Sequence, residues 1–259
     1  MHLPKYPSLY KWFIYSLVFS SVYINVINLA NASDVATNKQ LINLQLKWLH
    51  QFQFAGYYAA QQQGFYKQNG LEVNILEGGL NKLAIQEVHS GAALYGVAGA
   101  EILLDHIKTH QTMVLAAIFQ HSPYVLISLK QANINHPADL VGKRVMLSLP
   151  YTSRSSLSGE QGLNEFKLML WNEGIDINQV ILVNKTWDLN DLTSLKVDAI
   201  MGYLPVQPNI LKSNGYEVNL IKSINYSSDY YGDTLFTTTK EAEEHPERVQ
   251  AFLKATQAG

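Results

Sequence analysis

Hydrophobic positions along this chain follow two alternating rhythms. Leu41-Ile42-Asn43-Leu44-Gln45-Leu46-Lys47-Trp48 alternates at period two, Leu71 to Leu76 follows a break at Gly70, Tyr95-Gly96-Val97 is short and apolar, and Thr112 to Phe119 is a continuous apolar run. These segments predict strands. Between them, 56–68, 81–90 and 100–108 space their apolar residues as helices do. A second series starts near Pro123, with strands expected over 124–129, 143–147, 180–183, 197–201 and 217–221 and helices over 159–171, 188–195 and 205–213. One more strand over 233–238 and a helix starting across the acidic stretch 240–246 complete the pattern. The β-α order predicts mostly parallel sheets with right-handed crossovers. Its restart predicts an α/β protein of two lobes, 33–121 plus 226–259 and 122–225, joined by crossing segments near 120–124 and 223–226. Ligands of such folds sit between the lobes, where strand-to-helix loops meet.

Ahead of the lobes, Lys5 and Lys11 precede an uncharged stretch from Trp12 to Ser33 that runs through Ala30-Asn31-Ala32. That order predicts a signal peptide over residues 1–32, cleaved after Ala32, and a periplasmic protein. The alternative is an uncleaved anchor, which would tether the exported chain to a membrane. The whole sequence of 259 residues carries 19 Lys+Arg against 21 Asp+Glu and no cysteine. Disulfide scaffolds, thiolate metal sites and cysteine catalysis are thereby excluded. Scattered basic residues also lack the clustered charge that a nucleic-acid backbone requires.

The expected strand-to-helix loops carry the candidate chemistry. Trp48 to Tyr58 is dense in aromatic rings and neutral hydrogen-bonding groups, suited to stacking and orienting a flat heterocycle. Trp48, His50, Gln51 and Tyr57 are its candidate ligand residues, whereas Phe52, Phe54 and Tyr58 are open to a role in core packing. Ala98-Gly99-Ala100-Glu101 lets a ligand approach the backbone at Gly99 and offers the Glu101 carboxylate to a ligand amine, or else compensates helix charge. The hydroxyl-rich loop 150–159, with Tyr151 and Ser153, suits an anion or is an ordinary capped loop. Tyr203 and Gln207 in Tyr203-Leu204-Pro205-Val206-Gln207-Pro208, and Asp229, Tyr231 and Asp233 in Asp229-Tyr230-Tyr231-Gly232-Asp233, are placed where the lobes face each other. Nothing assembles a nucleophile with its base, and no catalytic residue or metal ligand is assigned. His106 and His110 stand at i,i+4 without a zincin acid, and Gly142-Lys143-Arg144 lacks the remainder of a phosphate loop.

Lys47 to Ala60, Gly64 to Lys67, Gly70 to Val73, Ile118 to Pro123, Asp139 to Val145 and Asp229 to Thr237 closely resemble the periplasmic branch of the thiamine-pyrimidine-precursor synthase and binding-protein family. The resemblance spans nearly the whole chain after the leader and implies the SsuA/thiamine-precursor-binding-like, type II periplasmic-binding-protein fold. It implies a solute receptor for an ABC permease, or a sensor region with a fused or associated signalling output, and a small heterocyclic ligand such as a thiamine pyrimidine precursor. The family also contains enzymes that make hydroxymethylpyrimidine phosphate from pyridoxal phosphate and consume one of their own histidines. Where that histidine is expected this chain has Glu101, and a chain without cysteine cannot carry their cysteine cluster. The resemblance therefore implies binding rather than synthesis, without a cofactor, with His121 a further candidate ligand residue at the cleft; synthase activity is the alternative, for which His50 and His121 are the candidate reactive histidines. Relatives tend to read Tyr-Leu-Thr-Asn-Glu-Pro where this chain has Tyr203 to Pro208, so Gln207 replaces a carboxylate. They also continue past the equivalent of Ala251 to Ala255 into a further helical segment, so the sequence reads as a truncated first lobe.

Overall fold

A computed structural model describes residues 40–79, 82–147, 157–186, 188–226 and 229–259. The expected signal peptide and the loop carrying Tyr151 and Ser153 lie outside the described residues. In chain order the first half gives β1 (Gln40–Gln45), α1 (Ala55–Gln62), α2 (Phe65–Gln68), β2 (Leu71–Leu76), α3 (Ala84–His89), β3 (Tyr95–Ala98), α4 (Ile102–Thr109) and β4 (Thr112–Ala117). Next come β5 (Tyr124–Leu129), β6 (Arg144–Leu147), α5 (Leu157–Asn172), β7 (Ile181–Asn184), α6 (Asn190–Thr193), β8 (Ala199–Tyr203), α7 (Gln207–Ser213) and β9 (Val218–Lys222). The last elements are β10 (Thr234–Thr238), α8 (Thr239–Glu244) and α9 (Pro246–Ala258).

The strands form two five-stranded sheets, ordered β2-β1-β3-β10-β4 and β7-β6-β8-β5-β9. The chain crosses from the first to the second after β4 and returns after β9. The sheets are mixed rather than mostly parallel: β1 runs parallel to β3 and β6 to β7 and β8, but β10 is antiparallel to both its neighbours and so is β5. The reversal follows from the crossing segments, because β5 and β10 each enter a sheet from the other one instead of through a helix.

Both sheets are covered on two faces. In the first, β2 buries Leu71, Val73 and Ile75 at period two beneath a core that also holds Ile42, Leu44, Phe54, Tyr57, Tyr66, Tyr95 and Phe252. Phe252 of α9 stacks on Tyr95 and on Tyr66, at 3.9 and 5.3 Å between ring centroids. The opposite face holds Ala84, Val88, Ile102 and Phe236. In the second sheet, Leu163, Phe166, Met169 and Leu170 of α5 pack one face, and Leu192, Val197 and Leu211 belong to the core on the other. Gly96 is required in β3, because a Cβ there would stand 2.5 Å from the ring of its cross-strand partner Phe236.

Three helices differ from the pattern reading. The expected helix over 56–68 is broken by Gly64, whose φ of 75° ends α1 and starts α2. The expected helix over 188–195 is a single turn, closed by Leu195 at a φ of 60°. The C-terminal helix is two, since Pro246 cannot donate to the preceding turn and starts α9 afresh. Among the described residues no helix is long and apolar enough to cross a membrane.

Candidate functional site

A cluster of polar side chains is buried where the loops of the two sheets meet. Lys47 lies just beyond β1, and its Nζ donates to Asp233 Oδ1 at 2.8 Å and to the Tyr203 hydroxyl at 2.6 Å. Asp233, immediately before β10, is 1% exposed. It also accepts from Gln53 Nε2 at 3.1 Å and from the Tyr203 hydroxyl at 3.3 Å. Tyr203 closes β8 of the second sheet; its backbone N–H donates to Gln207 Oε1 at 2.7 Å, and its ring meets Tyr124 edge-to-face at 4.7 Å. Gln207 thus orients Tyr203 from the first turn of α7.

Glu101 and Gly99 adjoin this cluster at the start of α4. Gly99 N–H donates to Glu101 Oε1 at 2.9 Å. A Cβ on Gly99 would stand 2.3 Å from Glu101 Oε2 and 2.6 Å from Gln161 Oε1, so only glycine lets these side chains close on the backbone. Gln161 belongs to α5 of the other sheet. It accepts from Ala100 N–H at 3.1 Å and donates to Glu165 Oε1 at 2.9 Å and to the Tyr231 carbonyl at 3.3 Å. Glu165 also receives the Ser122 hydroxyl at 2.8 and 2.7 Å.

Charge in this region is set by burial and by the carboxylates. Burial alone would lower the Lys47 pKa, but Asp233 and Glu101 outweigh it and hold the ammonium above its ordinary value. Burial, then Asp233, pushes Tyr57 well up. Tyr203 is raised by burial and by Tyr124 and Asp233. Burial takes Tyr124 up to about 12, against the pull of Lys47. The phenols therefore remain hydrogen-bond donors. Among the described residues, Glu101 Oε2 and the Tyr57 hydroxyl are buried without a hydrogen-bond partner, as is Gln45 Oε1 in β1. Of the first two, one is an acceptor and the other a donor, and a buried polar atom left in this condition costs roughly 1–3 kcal/mol.

The remaining candidates differ in how far they reach into the cluster. Trp48 is partly buried against the core of the first sheet. His50 is exposed, with its N–H on Glu77 Oε1 and its Nδ1 paired with the Tyr58 hydroxyl. Gln51 bonds Gln53 and so reaches Asp233 indirectly. Phe54 is core, whereas Phe52 is exposed. His121 and Asp229 pair with each other across the two crossing segments. With Gln120, Tyr230 and the exposed Tyr231 they line a polar recess of about 540 Å³. Beside it Gly232 holds the segments together: its N–H donates to the Phe119 carbonyl at 2.9 Å, and a Cβ would stand 2.6 Å from Pro123 Cδ.

Sequence reasoning did not single out Lys47, Gln53, Tyr124, Gln161 or Glu165. Lys47 had a readable signal, a lone cation where a strand opens into an otherwise neutral aromatic loop. Gln161 and Glu165 had another, polar residues one turn apart on the buried side of an amphipathic helix.

Comparison with known proteins agrees with this architecture. The model of the family described as "NMT1/THI5 like" matches residues 51–259, and the chain belongs to that family. The formylaminopyrimidine-binding protein of Halalkalibacterium halodurans is 25% identical over 255 residues, covering 95% of this chain and 73% of that protein. The riboflavin-binding protein RibY of Chloroflexus aurantiacus is 21% identical over 240 residues, 89% of this chain and 64% of that protein. The solved periplasmic aliphatic sulphonate binding protein SsuA from Escherichia coli superposes with a TM-score of 0.61 at 14% identity, covering 85% of this chain and 72% of that one. The fold is that of type II periplasmic binding proteins. These relatives are binding proteins by name, and the chain spans from half to about three quarters of the length of the sequence relatives it matches.

Proposed function

We propose that this member of the NMT1/THI5-like family is an exported, non-enzymatic solute-binding protein or sensor domain that closes two lobes over a small nitrogen heterocycle, with a thiamine pyrimidine precursor as the ligand class. The observation that carries this reading is that two buried groups near a polar cluster drawn from both sheets, the acceptor Glu101 Oε2 and the donor Tyr57 hydroxyl, are each without a hydrogen-bond partner. Lys47 already neutralises Asp233, and the carboxylate oxygen left without a partner beside them is Glu101 Oε2. An exocyclic amine is the complementary group, and a ring nitrogen or carbonyl can accept from Tyr57. Trp48 supplies an aromatic face for the ring. The recess at His121, Asp229 and Tyr231 is the second polar surface open to the ligand or to its entry, and Tyr151 and Ser153 belong to the loop expected to complete the second lobe's side. The formylaminopyrimidine-binding relative supports the pyrimidine class. Delivery to an ABC permease or to a signalling output is the proposed use of the closed form.

The test is thermal unfolding of residues 33–259 against a panel of aminopyrimidines, flavins, sulfonates and pyridoxal phosphate. Ligand at about 100 times its dissociation constant adds roughly 2.7 kcal/mol and moves the midpoint by a few degrees. A shift confined to aminopyrimidines, and weakened by Glu101→Gln roughly ten- to hundredfold in affinity, supports the assignment. A cooperative transition that no heterocycle moves rejects it.

A further inference from the structure

The bonds around Lys47 divide between the two sheets in an informative way. Lys47 and Asp233 both belong to the first sheet's side, beyond β1 and before β10, so their 2.8 Å ion pair stays intact however the two sides move. Tyr203, which takes the other 2.6 Å hydrogen bond from the same Nζ, ends β8 of the second sheet. The ammonium also stands 5.1 Å from the centre of the Tyr203 ring. Both partners are held in place beforehand. Asp233 is fixed by Gln53, and Tyr203 is fixed through its backbone by Gln207 and through its ring by Tyr124. A charge-neutralising role for Lys47 requires only Asp233; it does not require a phenol oxygen presented from the opposite sheet.

We infer that Lys47 is a positioning residue that latches the two lobes, its ammonium anchored on Asp233 and engaging the Tyr203 hydroxyl when the cleft shuts. The latch sets how much of the closed form exists before any ligand arrives, and with it the part of the binding energy that closure consumes. This inference rests on the lobe-closure reading above and adds to it the residue that couples the lobes.

Because the chain has no cysteine, lobe separation can be read directly. Cysteines introduced at exposed Lys67 on α2 and exposed Lys212 on α7 accept a fluorescent donor and acceptor, one on each side. Single-molecule energy transfer is then recorded without ligand for the labelled parent, Tyr203→Phe and Lys47→Met. Tyr203→Phe removes the hydroxyl, and with it the bonds to Lys47 and to Asp233 on the first sheet's side, while leaving the Lys47–Asp233 pair and the edge-to-face ring contact with Tyr124 in place. The expected result is a roughly tenfold rise in the open-to-closed ratio for Tyr203→Phe, the worth of a hydrogen bond to a charged group. Lys47→Met is expected to open the protein at least as far. A distance distribution for Tyr203→Phe that matches the parent overturns the inference, and so does a lowered unfolding midpoint with no change in distance, since that is the mark of a purely structural contact. A final arm adds the aminopyrimidine 4-amino-5-hydroxymethyl-2-methylpyrimidine. Closure by this probe in a protein indifferent to Tyr203→Phe keeps the functional reading and removes the latch; opening by Tyr203→Phe with no response to the probe does the reverse.

Discussion

Replacing Asp233 by asparagine preserves the shape of a side chain that is 1% exposed and removes the charge that holds Lys47. The Lys47 ammonium, its side chain only 10% exposed, then keeps the Tyr203 hydroxyl as its acceptor but loses its 2.8 Å counter-ion. The new amide also places an N–H₂ among donors, because Lys47, Gln53 and Tyr203 all point hydrogens at Asp233. Breaking one side of a buried pair costs about 3–5 kcal/mol, a large share of the 5–15 kcal/mol that typically holds a protein together. Lys47→Met is expected to cost a similar amount, since it strands the carboxylate instead. The double variant leaves no buried charge at this pair and is expected to be destabilised by only about 2–3 kcal/mol, giving a coupling energy of at least about 2 kcal/mol. Urea unfolding followed by tryptophan fluorescence supplies the three differences. Additive costs, with a coupling below about 0.5 kcal/mol, would refute the claim that the pair acts as one buried unit.

Three further outcomes follow from the geometry. Gly78→Ala puts a Cβ 2.1 Å from the Leu46 carbonyl oxygen, a backbone atom, and is expected to lower stability by about 2 kcal/mol or more, whereas Gly56→Ala in α1, whose nearest neighbour is 3.8 Å away, raises it by roughly 0.5–1 kcal/mol; urea midpoints of both variants check this. Burial pulls the Lys185 ammonium down from 10.5 to about 8, so unfolding takes up a proton between those pH values and stability rises with pH by about 3 kcal/mol across the window; denaturation of Lys185→Met should lack that rise. Tyr66 and Tyr124, both pushed up to about 12 by burial, act in the opposite sense: they stay protonated in the fold while their unfolded counterparts ionise from pH 10, so stability falls from pH 10 towards 12, and the share of tyrosinate absorbance missing from Tyr66→Phe and Tyr124→Phe should appear together with loss of helical dichroism.

The strands were legible because burial imposes local patterns. Leu71, Val73 and Ile75 alternate with polar residues, and Tyr124 to Leu129, apolar but for the buried Ser128, lies inside a sheet covered on both faces. Direction was less legible. Whether β10 runs with or against β3 depends on which sheet the chain has just left, and residues 234–238 themselves read the same either way. Helix breaks at Gly64 and Pro246 were written in residue type, but the apolar spacing continues across them. At the site, Glu101 and Tyr203 stood out as polar groups at strand-to-helix loops and Asp233 as one in the segment before the last strand, and the structure brings these into or beside one cluster. His50 had the same local credentials and lies at the surface with Tyr58 and Glu77. The difference is made by partners at long range: Lys47 and Asp233 are 186 positions apart, and no local window contains both.

The position of β10 between β3 and β4 has a consequence for the order in which this protein is built. β4 is an edge strand whose neighbour in the sheet is β10, so residues 112–117 have no strand to pair with until residues 234–238 have been synthesised. The second sheet has no such debt: all its strands lie between residues 124 and 222, and it can assemble while the first is still missing its fourth strand. A chain emerging from the ribosome, or from an export channel, therefore completes the second sheet first and carries an open apolar edge on the first until residues 234–238 follow. The lobe that starts first finishes last, and for that interval it is the part most in need of a chaperone.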